Sequence, residues 1–440
     1  MRRRLAAAGV LVALLPGFAV AGARDADLVP AIRDGDTTTV RALLESRAAD
    51  PDRLQPDGST PLSWAVETQD ERLVRLLLRA RARPDAARNA GAAPLLLACE
   101  HGDAGIVSLL LDAGADVRRT RPDGVGPIAL CAGTVPASLV ARLIAQGAPV
   151  DAADAAGQTP VMRAAAQGRV DTLRLLVAKG ADINRATPGG FTPLFFALKS
   201  RHPEAPVAVL EAGGDDGHVG PEGTTAVQLA MYQKDYAFAA RMIARGADLA
   251  AYDRDGNTLL QAATLAGQPE LVAQLLARGA DPNRVTERPR VTWRYEANFR
   301  SGDVPFPARS PLYLAASSGS PECVRLLAAA GADPRFRLDD GSTIVHAAAR
   351  SGSPLALRAA LDLLPDPDVV DNEGQTPLHL VLQAEPGDAT SALLRVLADR
   401  GARTDLRDSR GMTAAQLAQA LEGPLKAAWQ SVFAARTGGT

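Results

Sequence analysis

The six residues GQTPLH, from Gly374 to His379, form a start signal for an α-helix. Glycine tolerates the positive φ of a turn, and the hydroxyl of Thr376 can accept a hydrogen bond from an amide of the first helical turn. Pro377 suits the first helical position, which needs no amide donor, and Leu378 begins an apolar face. The stretch therefore predicts a short helix that begins at residue 377.

The same signal recurs along most of the chain at a constant interval of about 33 residues. A mid-unit glycine follows many of the starts, as at Gly168, and a closing glycine, often in Gly-Ala-Asp, follows most of them, as at Gly180, so each unit is predicted to contain two short helices. Helices of two or three turns are marginal in water, and stacked neighbours must stabilise them. The evenly spaced start glycines are Gly58, Gly91, Gly124, Gly157, Gly190, Gly223 and Gly256, of which Gly91 and Gly124 begin degenerate copies.

These units resemble the ankyrin repeat, because a GxTPLxxA start and an LLxxGAD end recur with this period. The resemblance covers roughly residues 25 to 430. It implies an all-α solenoid of about ten helix-turn-helix units, with β-turn fingers on one side, a concave binding face, and function by protein recognition. The histidine that follows TPL in the family is present only at His346 and His379, so we expect the other units to be looser.

We expect a monomer with one continuous array between two terminal segments. Residues 1–23 are predicted to be a signal peptide, and residues 24–56 an N-terminal capping repeat that lacks the TPL start. Residues 57–409 hold the ankyrin repeats, and residues 410–440 form a C-terminal capping repeat with a tail. Capping repeats differ from internal ones because their outer faces meet water.

The N-terminus has the three parts of a secretory signal. Three arginines follow Met1, an apolar run extends from Leu5 to Val20, and residues 19–23 offer two Ala-x-Ala cleavage sites. Pro16 interrupts the run, which falls short of the ~20 residues of a membrane span. We expect cleavage, export to a bacterial periplasm, and no transmembrane segment in the mature protein. The alternative is an uncleaved anchor in the inner membrane.

Composition and motifs argue against several classes of function. The 48 basic and 50 acidic side chains give a net charge of −2, so no global field favours nucleic acid. The sequence lacks HExxH, CxxC and GxSxG motifs and a phosphate-binding loop, and its five histidines are dispersed. We predict no catalytic residues, no metal site and no cofactor. Cys99, Cys131 and Cys323 lie in separate units and are predicted to be small buried apolar residues.

The interval between Gly256 and Gly341 is longer than two periods of the repeat. The extra residues form a predicted finger insertion at 288–307, which holds four of the 17 aromatic residues of the chain. Because Trp, Tyr and Arg are enriched at binding hot spots, the insertion is a candidate partner site. The alternative is that its aromatic rings only pack the insertion onto the array. The predicted partner-binding residues are Arg290, Trp293, Arg294, Tyr295, Phe299, Arg300, Phe306 and, on the next finger, Phe336.

Two classes of function stay open. The favoured one is a non-catalytic periplasmic protein that binds a partner protein through its fingers and concave face. The partner would be a periplasmic enzyme or a toxin effector, and the protein would serve as an accessory factor or as an immunity protein, a role known among exported bacterial ankyrin-repeat proteins. The alternative is an enzyme, or an envelope-bound structural element, with a site assembled across repeats.

Overall fold

The computed structural model describes residues 26–89, 92–289, 307–385 and 387–434. Within these residues there are 24 α-helices and no β-strand, and three isolated β-bridges pair short backbone segments. The helices follow one another as 12 pairs, so the all-α repeat solenoid predicted from the period is confirmed. The predicted signal peptide, residues 1–23, lies outside the described residues.

The two helices of each pair are short, as the sequence predicts. Most first helices have seven or eight residues and most second helices have eight to ten. The helices are, pair by pair, α1 Val29–Arg33 and α2 Thr37–Glu45; α3 Pro61–Glu67 and α4 Glu71–Arg79; α5 Pro94–His101 and α6 Ala104–Asp112; α7 Pro127–Thr134 and α8 Ala137–Ala145; α9 Pro160–Ala166 and α10 Val170–Ala178; α11 Pro193–Lys199 and α12 Glu204–Glu211; α13 Ala226–Tyr232 and α14 Tyr236–Ala244; α15 Leu259–Leu265 and α16 Pro269–Ala277; α17 Pro311–Ser317 and α18 Pro321–Ala329; α19 Ile344–Arg350 and α20 Pro354–Leu363; α21 Pro377–Gln383 and α22 Thr390–Asp399; α23 Ala414–Ala420 and α24 Gly423–Trp429.

The described chain divides into two compact bodies. The first comprises the residues up to Arg163 together with Ala178–Ala181, and the second comprises Ala164–Val177 together with the residues from Asp182 onward. Each body has its own buried core of leucine, valine, isoleucine and alanine contributed by both helices of every repeat. Burial of these side chains against neighbouring repeats stabilises helices that are too short to be stable alone.

The start signal forms a reciprocal capping box. The amide of His379 donates to the hydroxyl oxygen of Thr376 (3.4 Å), and the amide of Thr376 donates to Nδ1 of His379 (3.3 Å). Two amides that the helix leaves without partners are thereby satisfied. Nε2 of His379 lies 3.3 Å from the carbonyl oxygen of Met412 in the next repeat. One histidine therefore caps its own helix and bonds to the neighbouring repeat.

Other residues replace this histidine without loss of either bond. In the repeat of α15, Oε1 of Gln261 accepts from the amide of Thr258 (2.7 Å), and Nε2 donates to the carbonyl of Arg284 (2.6 Å). In the repeat of α3, the hydroxyl of Ser63 donates to the carbonyl of Ala92 at 2.6 Å. The expectation that repeats without histidine are looser is therefore wrong for these two repeats, because glutamine and serine also offer a donor and an acceptor.

Glycine is required in the turn before the helix where two fingers approach closely. Gly256 has a φ of +78°, and a Cβ atom there would lie 2.0 Å from the carbonyl oxygen of Glu287. The amide of Glu287 donates to the carbonyl of Gly256 at 2.9 Å. A side chain at position 256 would therefore force the two fingers apart.

The cysteines are buried, as predicted, but two of them are bonded. Cys99 on α5 and Cys131 on α7 form a disulfide, with their Cα atoms 4.6 Å apart. Cys323 on α18 is a free thiol, and burial raises its pKa. The prediction of three small apolar residues is therefore wrong for the first two, because the repeat brings their neighbouring helices together.

Candidate partner-binding surfaces

The structure describes both ends of the predicted finger insertion. The amide of Thr286 donates to the carbonyl of Arg309 (3.0 Å), and the amide of Arg309 donates to Oγ1 of Thr286 (3.0 Å). The two chain segments that flank the insertion therefore lie side by side. Because Glu287 also bonds to Gly256, this neck is fixed against the preceding finger.

The repeats on either side of the insertion are bonded to each other. The amide group of Asn283 donates to the carbonyl of Gly331 (3.0 Å), and its Oδ1 accepts from the amide of Asp333 (2.8 Å). Asn184 makes the same two bonds, to Gly213 and Asp215, where no residues are inserted. Helices α15 and α17 are in contact, as are α16 and α18. The insertion thus leaves the stacking of its neighbours unchanged.

A tyrosine and an arginine brace the finger from which the insertion extends. The hydroxyl of Tyr252 donates to the carbonyl of Val285 (3.0 Å) and accepts from Nε of Arg284 (2.8 Å). The guanidinium of Arg284 also lies 4.6 Å from the centre of the Tyr252 ring, a cation–π contact. The hydrogen bond to Tyr252 raises the pKa of Arg284. The base of the insertion is therefore braced by fixed side chains.

The predicted partner-binding residues fall mostly outside the part of the chain that the structure describes. Phe336 is described: it is half-buried on the next finger, beside Arg337, whose guanidinium donates to the carbonyls of Gly341 (2.8 Å) and Val370 (3.0 Å). The assignment of a site to the insertion stays a prediction. The residues outside the described ranges are Arg290, Trp293, Arg294, Tyr295, Phe299, Arg300 and Phe306.

A second aromatic surface, formed by α11 and the turn before it in the second body, was not predicted from the sequence. The rings of Phe191 and Phe196 are half-exposed, with centroids 6.3 Å apart, and the ammonium of Lys199 lies 4.6 Å from the centre of the Phe191 ring. Phe195 is buried against His218 instead. The sequence does show a cluster of aromatic residues here, since the stretch FTPLFF holds three of the nine phenylalanines. To predict the surface, one must also determine which rings lie on the buried face of the helix and which on the exposed face.

Trp64 on α3, in the first body, occupies the position that Phe196 has in its repeat, four periods earlier. Its indole Nε1 donates to the hydroxyl of Ser59 (3.0 Å), and the guanidinium of Arg33 lies 5.1 Å from the ring centre. A groove of about 280 Å³ runs beside the ring and is lined by Ser63, Asn89 and Leu97 among others. Here too an aromatic ring is fixed in orientation while part of its surface stays open.

The position of Trp64 is apolar in the two following repeats. Leu97 on α5 and Leu130 on α7 are half-exposed and follow Trp64 at intervals of one repeat period. Since α3 contacts α5 and α5 contacts α7, the three side chains form a stripe, which we call the first-helix stripe. Glu67, one helical turn after Trp64, and Glu100, one turn after Leu97, add acidic groups beside it. Because Glu100 is paired with Arg121 and the carboxylate of Glu67 lies 3.3 Å from Nε2 of His101, the stripe suits a partner with apolar side chains.

Two further findings concern chemistry and membranes. Within the described ranges there is no group of three or more His, Cys, Asp and Glu side chains that could hold a metal ion. No helix in the same ranges has the length and apolarity needed to cross a bilayer.

Comparison with protein families found matches along most of the sequence. The model described as "Ankyrin repeats (3 copies)" matches four segments, and the model described as "Ankyrin repeat" matches residues 255–287. The four segments are residues 28–121, 128–216, 295–363 and 312–408. A comparison with curated proteins found no match.

Proposed function

The chain belongs to the ankyrin-repeat family, and we propose that it is a non-catalytic protein of the bacterial periplasm that binds another protein. Ankyrin repeats are protein-interaction modules and are typically non-catalytic. The secretory features of residues 1–23 support export, and so does the disulfide of Cys99 and Cys131, because disulfides persist in oxidising compartments.

The observation that carries the proposal is the half-exposed ring pair of Phe191 and Phe196 beside Lys199. A half-exposed pair of large rings loses little conformational entropy on binding, because its neighbours already restrict it, and the exposed part of the rings adds apolar area that a partner can bury. Aromatic side chains are enriched at protein interfaces, whereas lysine is more common at their rims, where Lys199 would lie. This pair is therefore one proposed contact surface.

The finger insertion is the second proposed contact surface. Its neck at Thr286 and Arg309 is braced, so residues projecting from it would have a fixed base. Trp293 and Tyr295 are the proposed anchors, and Arg300 is a proposed rim charge. Replacing either anchor by Ala is expected to weaken binding by ~2 kcal/mol, roughly thirtyfold, whereas Arg300→Glu should chiefly slow association and change its salt dependence.

We propose that the partner is an exported enzyme. The protein would act on it as an immunity protein, which blocks a toxin effector, or as an accessory factor, which supports activity. Adding the purified protein to the captured enzyme distinguishes these roles: inhibition supports immunity, and retained or increased activity supports an accessory role. The protein itself should show no hydrolytic activity of its own in the same assay.

The test is capture of a partner from periplasmic extract, followed by binding measurements with variants. Phe191→Ala with Phe196→Ala removes the two rings, and deletion of residues 288–307 leaves Thr286 and Arg309 joined by a two-residue turn. Leu355→Ala is the matched control, because Leu355 is also apolar and is 65% exposed, but lies on a second helix, α20. Full capture by a protein that combines the ring and deletion variants would refute both proposed surfaces.

A further inference from the structure

The disulfide joins two neighbouring repeats of the first body. Cys99 lies on α5 and Cys131 on α7, 32 residues apart in sequence, and both side chains are fully buried. The hydroxyl of Thr134 also donates to the carbonyl of Cys99 at 2.6 Å, so the same ends of the two helices share a hydrogen bond. The bond therefore crosses a junction between repeats and not a loop within one repeat.

The same two helices have no side-chain cap hydrogen bond, which is also missing at α11, and unlike α11 they have no hydroxyl at the N-cap position. The N-cap residues are Ala93 for α5 and Gly126 for α7, and neither has a side chain that accepts a hydrogen bond from its helix. Every other described first helix from α3 onward follows a serine or threonine. The third helical position is also apolar, Leu96 and Ala129, so neither can bond to the next repeat as His379 does. Capping boxes are present at α3, α13, α15, α19, α21 and α23.

We propose that the Cys99–Cys131 disulfide is a structural crosslink that replaces the missing cap and inter-repeat hydrogen bonds at the junction of α5 and α7. A crosslink between residues 32 apart restricts the unfolded chain and so favours the folded first body. The degenerate start signals at Gly91 and Gly124 can persist because the covalent bond fixes the two helices. The inference concerns stability and is independent of any partner.

Formation of the bond requires an oxidant. The two thiols lose two protons and two electrons, and the disulfide of a dithiol–disulfide oxidoreductase accepts them and is reduced to two thiols. Because both sulfur atoms are fully buried in the folded body, exchange takes place before α5 and α7 close. The folded body then shields the bond from reductants. Cys323 lies in the second body and keeps its thiol.

The test begins with a thiol count on the full chain purified from the periplasm. In urea without reductant, one thiol per chain should react with an alkylating reagent, and all three after reduction. In buffer without urea, a dithiol reductant should leave the disulfide intact. Three reactive thiols in the unreduced protein would overturn the proposal.

Variants test whether the bond replaces capping. Cys99→Ala with Cys131→Ala should lower the melting temperature of the first body by about 5 to 10 °C. Cys323→Ala is the control: it removes a buried sulfur from the second body without breaking a crosslink, and it should leave the melting temperature of the first body unchanged. Adding Ala93→Thr and Gly126→Thr to the double cysteine variant should recover part of the loss. Position 126 has extended backbone and room for a Cβ atom.

Two outcomes would contradict the proposal. One is equal melting of the wild-type protein and the double cysteine variant. The other is that the double cysteine variant melts at a lower temperature but Ala93→Thr and Gly126→Thr recover none of the loss. The disulfide would then stabilise the body without replacing the cap hydrogen bonds. If the double cysteine variant does not fold, refolding of the wild-type chain with and without reductant makes the same comparison.

Discussion

The junction between α5 and α7 differs from the junction between α19 and α21, although both hold two first helices together. At the first, a disulfide joins Cys99 to Cys131 and the cap positions lack hydroxyl groups. At the second, Nδ1 of His346 accepts from the amide of Thr343 (3.2 Å), and Nε2 lies 3.0 Å from the carbonyl oxygen of Gln375. A repeat can therefore have a degenerate start signal where another bond holds its first helix to the next one.

The two kinds of junction respond to different conditions. Formation of the disulfide depends on the redox state of the compartment in which the chain folds. The histidine bridge depends on the protonation of the imidazole, because Nδ1 accepts a hydrogen bond only when it carries no proton. The stability of the first body therefore depends on formation of the disulfide, whereas part of the stability of the second body depends on pH.

The largest expected effect comes from breaking the histidine bridge. His346→Ala should cost about 3 kcal/mol of unfolding free energy, because it opens a cavity, leaves the amide of Thr343 without a partner in a buried site, and removes the bond to the carbonyl of Gln375, which keeps only the amide of Asp371. His346→Gln is the matched control and should cost less than about 1 kcal/mol, since Gln261 makes both bonds in its own repeat. Urea unfolding of the second body provides the measurement, and equal losses for the two variants would contradict the bridging role.

The fold could be predicted from the sequence because its determinants are local and repeated. The helix starts follow from neighbours such as Thr376 and Pro377, which act within one turn, and the constant spacing of the repeats then predicts stacking. The bond between Cys99 and Cys131 is a contact between repeats. Its signal was present, because their sequence separation of 32 is close to one full period and places both residues at nearly the same point of adjacent helices.

Function could be predicted less well than fold. The family implies protein recognition, but the chemistry of a partner site depends on which side chains stay exposed after stacking. Phe195 and Phe196 are neighbours in sequence, yet one is buried against His218 and the other is half-exposed. Which of the two rings is buried depends on how the helix is rotated about its axis relative to its neighbours. The hydrophobicity of the residues alone does not predict this rotation. The predicted site on the insertion remains a proposal.

A smaller effect should appear on acidification of the second body. Burial lowers the pKa of His346 below its ordinary value of 6.5, so the folded protein favours the neutral imidazole. The hydrogen bond to the carbonyl of Gln375 and the charge of Asp371 oppose this shift of the pKa, whereas Arg350 and Arg337 add to it. The contribution of neutral His346 to the free energy of unfolding is complete above pH 6.5. It is lost as the pH falls through the lowered pKa, because the unfolded chain binds the proton more readily than the folded protein does. His346→Gln should remove this part of the pH dependence. Unfolding curves between about pH 7 and pH 5 provide the test, and an unchanged dependence in the variant would assign it to other groups.

The smallest expected effect concerns the N-cap threonine of the start signal. It distinguishes the contribution of its hydrogen bond to stability from the other contributions of the threonine. Thr258 accepts a hydrogen bond from the amide of Gln261 (3.4 Å), whereas Thr192 makes no cap bond and its hydroxyl oxygen is buried without a hydrogen-bond partner. Valine keeps the shape of threonine and removes only the hydroxyl. Thr258→Val should therefore cost about 1 kcal/mol, while Thr192→Val should be neutral or stabilising.

Both substitutions lie in the second body and at the same position of the repeat, so one urea titration of that body compares them directly. If the two variants lost equal stability, the cap hydrogen bond would not account for the loss, and the lack of a hydroxyl at Ala93 and Gly126 would not explain the crosslink. If only Thr258→Val lost stability, the cap hydrogen bond itself would account for the stabilisation that threonine gives at this position. The disulfide between α5 and α7 would then be a covalent replacement for that bond.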